Sequence, residues 1–236
     1  PDVYGIDPQK IYIWGSSAGS FLALSIAYMT ELDRPNSSFG NGSIFPDLGC
    51  IDCEGNSYSH NSRPNGIIAC WGAIPRLDWI DVNDNVPAMM FHGTLDPVVP
   101  IDSGFPFTVM ITLPLMYGSS EISQRLHDND IENYLIAEEG ELHEYWGAIN
   151  GNFIGNEPSE FWDPILNTGF NFLYNLTSEP VVGDFNNDNV VNVLDVVFLV
   201  SAILSNSQFV DGDINADGDI NVLDVILLVN QILLGR

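Results

Sequence analysis

From Lys10 to about Tyr174, short apolar runs alternate with amphipathic stretches, the pattern of sheet strands covered by helices in an α/β fold. The runs predict strands at Ile11 to Trp14, Gly66 to Trp71, Pro87 to His92 and Asn133 to Ala137, with helices from Ala18 to Leu32 and from Ser159 to Leu176. Asn36 to Asn65, rich in Gly, Asn, Ser and Pro, reads as a long loop or lid. Thr177 to Val182, which contains Pro180, marks a boundary. The predicted domains are residues 1–177, a linker at 178–182 and a small domain at 183–236.

Beyond the boundary the pattern repeats. The stretch Asp184 to Asp195 recurs 29 residues later as Asp213 to Asp224, with five identical residues at Asn192 to Val196 and Asn221 to Val225. Leu199, Val200, Ile203 and Leu204 recur as Leu228, Val229, Ile232 and Leu233. Each copy reads as a polar loop leading into an apolar-faced helix.

Composition changes this picture in three ways. A hydrophobic content of 45 % over 236 residues is enough for packed cores and excludes a disordered chain. The balance of 32 Asp and Glu against 6 Lys and Arg leaves no basic stripe, which argues against nucleic acid and anionic membrane as partners. It fits a solvated surface that keeps a secreted protein soluble. No segment approaches the roughly 20 apolar residues that span a bilayer. Three cysteines, Cys50, Cys53 and Cys70, are too few for a zinc site and predict one loop-pinning disulfide with a thiol left over, the pairing open.

Ile11 to Gly19 sets an apolar strand, then Gly15-Ser16-Ser17-Ala18-Gly19, then a helix-forming run. That order is required where a serine nucleophile stands on a tight strand-to-helix turn, and Ser17 alone has Gly two residues away on both sides. The two glycines are expected to let strand and helix approach without Cβ clashes. The backbone N–H of Ala18 then faces the position of a developing oxyanion. A serine hydroxyl needs a base held by a carboxylate. Asp96, after the strand ending at His92, and His143, after the strand from Asn133, supply them in the order Ser, acid, His, beyond the carboxyl ends of strands. The plainer readings are Asp96 as a turn cap before Pro97 and His143 as a loop histidine. His92 reads as a packing or orienting residue, and His60 and His127 as surface residues.

Gly15 to Gly19, His92 to Pro100 and Leu142-His143-Glu144 together resemble the later half of an α/β-hydrolase esterase. The resemblance covers residues 1 to about 176 and implies Ser17, Asp96 and His143 as a catalytic triad that needs no cofactor. The family's early strand and its HG-type loop, the second oxyanion donor, have no counterpart here. The chain starts without an initiator Met or signal peptide, so a fragment with an open sheet edge and half an oxyanion hole is expected.

Calcium takes six to eight oxygen ligands, and an EF-hand-like loop provides them from positions 1, 3, 5, 7, 9 and 12. The first repeat offers Asp184, Asn186, Asp188, the carbonyl of Val190, Asn192 and Asp195; the second offers Asp213, Asn215, Asp217, the carbonyl of Asp219, Asn221 and Asp224. The sixth position needs a left-handed turn, met by Asn189 and Gly218. Two such loops, each ending in Asp and each followed by one helix, resemble a type I dockerin from Gly183 to Gly235. That resemblance implies two Ca2+ ions and a cohesin-like partner. It also implies partner contacts at Val193-Leu194 and Val222-Leu223, which could equally be core residues at helix starts.

The fold class predicted is therefore α/β, a partial hydrolase sheet with flanking helices, plus a small all-α calcium-binding module. The leading expectation is a secreted serine esterase, extracellular or in a cell-surface complex, acting on acetyl or feruloyl esters of polysaccharides. The alternative is a calcium-dependent interaction module carrying a non-catalytic hydrolase remnant.

Overall fold

The computed structural model describes residues 4–40, 42, 44–51, 61–107, 111–147, 158–177, 182–186, 190–205 and 212–234. Cys53, His60, Asp188 and Asn189 lie outside the described residues. The chain forms two compact units, Pro1–Leu176 and Thr177–Arg236.

In the first unit the elements run β1 (Tyr12–Ser16), α1 (Ala18–Tyr28), β2 (Gly66–Cys70), β3 (Ala73–Ile74), β4 (Ala88–Gly93), β5 (Ser103–Gly104), β6 (Met116–Gly118), α2 (Ser119–Asp128), β7 (Asn133–Glu138) and α3 (Trp162–Thr177). Among the described residues, β1-β2-β4-β7 make one sheet and β3-β6-β5 a smaller one. The larger sheet is parallel throughout, with Ser16 beside Cys70, Cys70 beside Phe91, and Gly93 beside Glu138.

Every residue of the central strands β2 and β4 is buried, as expected when helices cover both faces of a parallel sheet. Their alternation divides two cores. Ile67, Ala69, Ala88 and Met90 face α1 and α2 through Leu24, Tyr28, Ile122 and Leu126. Ile68, Cys70, Met89 and Phe91 face α3 through Ile165 and Phe172. Each large apolar side chain so buried contributes about 1.5–3 kcal/mol relative to exposure.

The predicted element positions hold, with their ends moved. β1 continues to Ser16 because ladder pairing, rather than hydropathy, ends a strand. α1 stops at Tyr28 instead of Leu32. Met29 turns extended (ψ 137°), and a capping box between Thr30 and Asp33 starts a separate 3-10 turn over Glu31–Asp33. α3 starts at Trp162 rather than Ser159, whose hydroxyl donates to Tyr145 O and accepts from Phe161 N. Helix α2 and the small sheet escaped the sequence reading: α2 buries only Ser119, Ile122 and Leu126, and two- or three-residue strands carry no readable period. The loop from Asn36 opens with a 3-10 turn, Asn36–Phe39.

The second unit packs α4 (Val193–Leu204) and α5 (Val222–Leu234) around Phe185, Leu199 and Leu228, with Val191, Val196, Ile203, Ile214, Ile220, Val225 and Ile232 at its margin. Of the repeated apolar positions, Leu199 and Leu228 are buried, whereas Leu204 and Leu233 are 82 % and 75 % exposed. A two-helix unit has only one inner face, so the helices carry more apolar residues than it can bury. Among the described residues no helix is long and apolar enough to cross a membrane.

Candidate active site and calcium loops

Ser17 sits between β1 and α1 with φ 51° and ψ −117°, a strained backbone for a residue with a side chain. A Cβ on Gly15 would stand 2.3 Å from Gly19 O, so strand and helix meet here only because Gly15 lacks one. At Gly19 a Cβ would meet nothing within 4 Å among the described residues, so the expected requirement for two glycines reduces to one. Ser20 Oγ–H, near Gly15 O and Cys70 O at 2.7 Å each, ties the first turn of α1 to β1 and β2. Ala18 opens α1, where the helix supplies no acceptor for its N–H.

The structure brings Ser17, His143 and Asp96 together across 126 and 47 residues of sequence. Ser17 Oγ lies 2.9 Å from His143 Nε2, and His143 Nδ1 lies 2.7 Å from Asp96 Oδ2. An ionised carboxylate can only accept, so Nδ1 carries the proton and Nε2 of the neutral ring accepts from the Ser17 hydroxyl. Asp96 and His143 are buried, and Ser17 is partly open. The plainer readings are answered together: Asp96 Oδ1 does cap the turn, accepting from Val98 N and Val99 N, while Oδ2 is left for His143.

His92 is fully buried, which suits the packing or orienting role expected of it. Its Nε2 faces two acceptors, Val99 O at 2.8 Å and Asp96 Oδ2 at 3.3 Å, so the proton sits there and Nδ1 accepts from Ser119 Oγ–H at 2.7 Å. Burial pushes the Asp96 carboxyl up, but hydrogen bonds from His143, His92 and the Val99 N–H outweigh it and hold the group at about 2.

That depression has a stability consequence. A carboxyl held below its ordinary value of 3.8 stabilises the fold in full above that pH, and the contribution disappears as pH falls through about 2. The stability difference between parent and Asp96→Asn, measured by urea unfolding, should therefore shrink by about 2 kcal/mol between pH 5 and pH 2. Tryptophan fluorescence reports the correct unit, since Trp14, Trp71, Trp79, Trp146 and Trp162 all lie in the first. A pH-independent difference would refute the assignment.

Among the remaining candidates, Cys50 is disulfide-bonded and Cys70 is a buried free thiol whose burial pushes it up to about 12. His127 is exposed. Sequence reasoning missed the pair Ser16 and Glu144, whose side chains meet at 2.8 Å. Their one signal in the sequence was position, immediately beside Ser17 and His143.

In the second repeat, Asp213 Oδ1 and Oδ2 accept from Asp217 N and Gly218 N, Asn215 Oδ1 from Asp217 N, and Asp217 Oδ1 from Asp219 N. Gly218 has φ 94°, the left-handed turn expected at the sixth position. Asp224, fully buried, accepts from Ile214 N, Asn215 N and Asn221 N; Asp195 does the same for Phe185 N, Asn186 N and Asn192 N. Asn192 and Asn221 each cap a helix through Leu194 N and Leu223 N. The donor set, carboxylates, amide oxygens and a carbonyl within one turn, suits a hard cation such as Ca2+. Among the described residues the carboxylates hold backbone amides, and no group of three or more His, Cys, Asp or Glu stands ready to hold a metal. Val193, Leu194, Val222 and Leu223 are 65 %, 57 %, 64 % and 51 % exposed, which removes the core reading of these four.

Residues 182–233 match the family described as Dockerin type I domain. No curated protein matches the chain. Similar solved structures include esterase 2 of Thermogutta terrifontis phosphorylated by paraoxon, at 20 % identity and TM-score 0.48, covering 73 % of this chain and 56 % of that one. An α/β hydrolase, MGS-M1, from a Medee basin deep-sea metagenome library is 17 % identical at TM-score 0.42 over 72 % and 56 %. An acetyl ester-xyloside bifunctional hydrolase from Caldicellulosiruptor lactoaceticus is 13 % identical at TM-score 0.42 over 73 % and 60 %. This chain thus spans 56 % to 60 % of the length of these proteins. Residues 182–233 are a type I dockerin domain. The first unit is a partial parallel α/β sheet with flanking helices, in which strand β1, Ser17 and helix α1 form the strand-to-helix turn that a nucleophilic serine requires.

Proposed function

We propose that the first unit is a serine carboxylic-ester hydrolase working by acyl transfer. The observation that carries this reading is the continuous hydrogen-bonded chain from Ser17 through His143 to Asp96. Ser17 Oγ attacks the ester carbonyl while His143 Nε2 takes its proton; Asp96 holds the ring by Nδ1–H and stabilises the imidazolium. The Ala18 N–H stabilises the oxyanion. His143 returns the proton to the departing alcohol, and water, activated by the same nitrogen, releases the acid. The substrates are acetyl or feruloyl esters on polysaccharides, by analogy with other dockerin-bearing enzymes. The assembled triad favours this over a non-catalytic remnant.

Type I dockerin domains bind calcium and cohesins. In this chain two Ca2+ ions would be held by Asp184, Asn186, Asp188, Val190 O, Asn192 and Asp195, and by Asp213, Asn215, Asp217, Asp219 O, Asn221 and Asp224. The ions would supply charge neutralisation in the loops. A cohesin-like partner would be met through Val193-Leu194 and Val222-Leu223, placing a secreted enzyme in an extracellular or cell-surface complex.

A fluorophosphonate probe should label the protein once, with peptide mass spectrometry locating the adduct on Ser17 and Asp96→Asn slowing the labelling by orders of magnitude. Labelling at another serine, or none, defeats the proposal.

A further inference from the structure

We infer that Glu144 is a positioning residue for His143, latching the turn that carries the base onto the strand that carries the nucleophile. The inference rests on the triad reading above. Ser16 Oγ–H donates to Glu144 Oε1 at 2.8 Å and accepts from the Trp71 indole N–H at 2.9 Å. Ser16 immediately precedes Ser17, and Glu144 immediately follows His143, so this chain runs beside the triad and joins the same two segments a second time. Its far end is fixed: Trp71 is fully buried, with the rings of Tyr145 and Trp146 edge-on at 5.1 and 5.0 Å and that of His143 at 6.3 Å.

The backbone points the same way. Ser17, Trp71 and Glu144 have φ of 51°, 46° and 52°, half of the six non-glycine residues with positive φ among those described. Such conformations persist only where surrounding contacts impose them. Ser17 is held by its N–H to Cys70 O, and Trp71 by its N–H to Phe91 O. For Glu144 the side-chain bond to Ser16 does the equivalent work. Without it, the turn after His143 can relax towards an ordinary backbone, and the imidazole loses its fixed approach to Ser17. The role asked of Glu144 is hydrogen-bond acceptance, which glutamine can also provide.

The test is steady-state hydrolysis of p-nitrophenyl acetate by the intact protein, with the low-field proton resonance of His143 Nδ1–H as a second readout. Glu144→Ala should lower kcat about 10- to 100-fold with KM changed less than about twofold, as expected for loss of alignment in the transition state. Glu144→Gln should recover kcat to within about threefold of the parent. Ser16→Ala should match Glu144→Ala, and the double variant should be no worse than the poorer single one. The Nδ1–H resonance should stay sharp in Glu144→Gln and broaden in Glu144→Ala. A Glu144→Ala kcat within about twofold of the parent, a loss that glutamine does not recover, or multiplying losses in the double variant would each overturn the latch. If Glu144→Ala does not fold, Ser16→Ala and Glu144→Gln decide by the same criteria. Ser17→Ala, run alongside, separates the two ideas: retained turnover there defeats the triad reading, and the Nδ1–H resonance then decides the latch alone.

Discussion

In the full-length protein, Ser17→Ala is expected to lower kcat for p-nitrophenyl acetate by about 10⁴- to 10⁶-fold, the range for losing the nucleophile of a serine triad. The physical reason is that every later step depends on the acyl-enzyme. Without Oγ there is nothing for His143 to activate, and the Ala18 N–H can only polarise a carbonyl that bulk water attacks. Asp96→Asn and His143→Ala should each cost orders of magnitude as well, because Asn cannot hold the Nδ1–H tautomer and Ala removes the base. The three losses should not multiply: Ser17→Ala combined with His143→Ala should be about as inactive as Ser17→Ala alone, since the groups act as one unit through bonds of 2.9 and 2.7 Å. A loss of only a few-fold in Ser17→Ala would show that another group is the nucleophile.

Calcium should have the second large effect, on the dockerin unit. Asp213, Asp217 and Asp219 crowd one short turn in which, among the described residues, the Asp213 and Asp217 carboxylates receive backbone and amide hydrogens, and mutual repulsion of the three opposes the turn that aims α5. The core beneath is small: among the described residues its buried apolar cluster is Phe185, Leu199 and Leu228, with seven partly buried side chains around them. Metal binding should therefore account for a large share of stability, about 4 kcal/mol when free calcium exceeds the dissociation constant a thousandfold. Isolated residues 178–236 should gain helical circular dichroism on calcium addition and lose it with EGTA. Calorimetric titration should give two ions per module, and Asp184→Ala with Asp213→Ala should abolish both responses. A stoichiometry near zero would remove the calcium assignment and the partner reading built on it.

Much of this was legible along the chain because the responsible physics is local. A strand running into Gly15-Ser16-Ser17-Ala18-Gly19 and then a helix leaves few ways for the backbone to turn, and the strained Ser17 with its close Gly15 contact follows from that order. β2 and β4 were readable as unbroken apolar runs since both faces are covered. The candidate calcium loops are legible for the same reason: within twelve residues, side-chain oxygens, the residue at the turn (Asn189 or Gly218) and the helix cap follow from spacing alone.

What the linear pattern could not settle is whatever depends on partners far away. α2 contributes two buried apolar side chains, Ile122 and Leu126, too few to stand out from a loop, and it becomes a helix by docking on the core of α1 and β4. Asp96 could be read as a turn cap or as a triad acid; folding leaves room for both, by giving Oδ1 to its own loop and Oδ2 to His143 and His92. Val193, Leu194, Val222 and Leu223 had the composition of a core, and only the packing of two helices on a single inner face left them in solvent. Ser16 and Glu144, 128 residues apart, carry no mutual signal in sequence. Their contact exists because β1 and the turn after β7 converge at the carboxyl ends of a parallel sheet, a proximity produced by topology rather than by any local propensity.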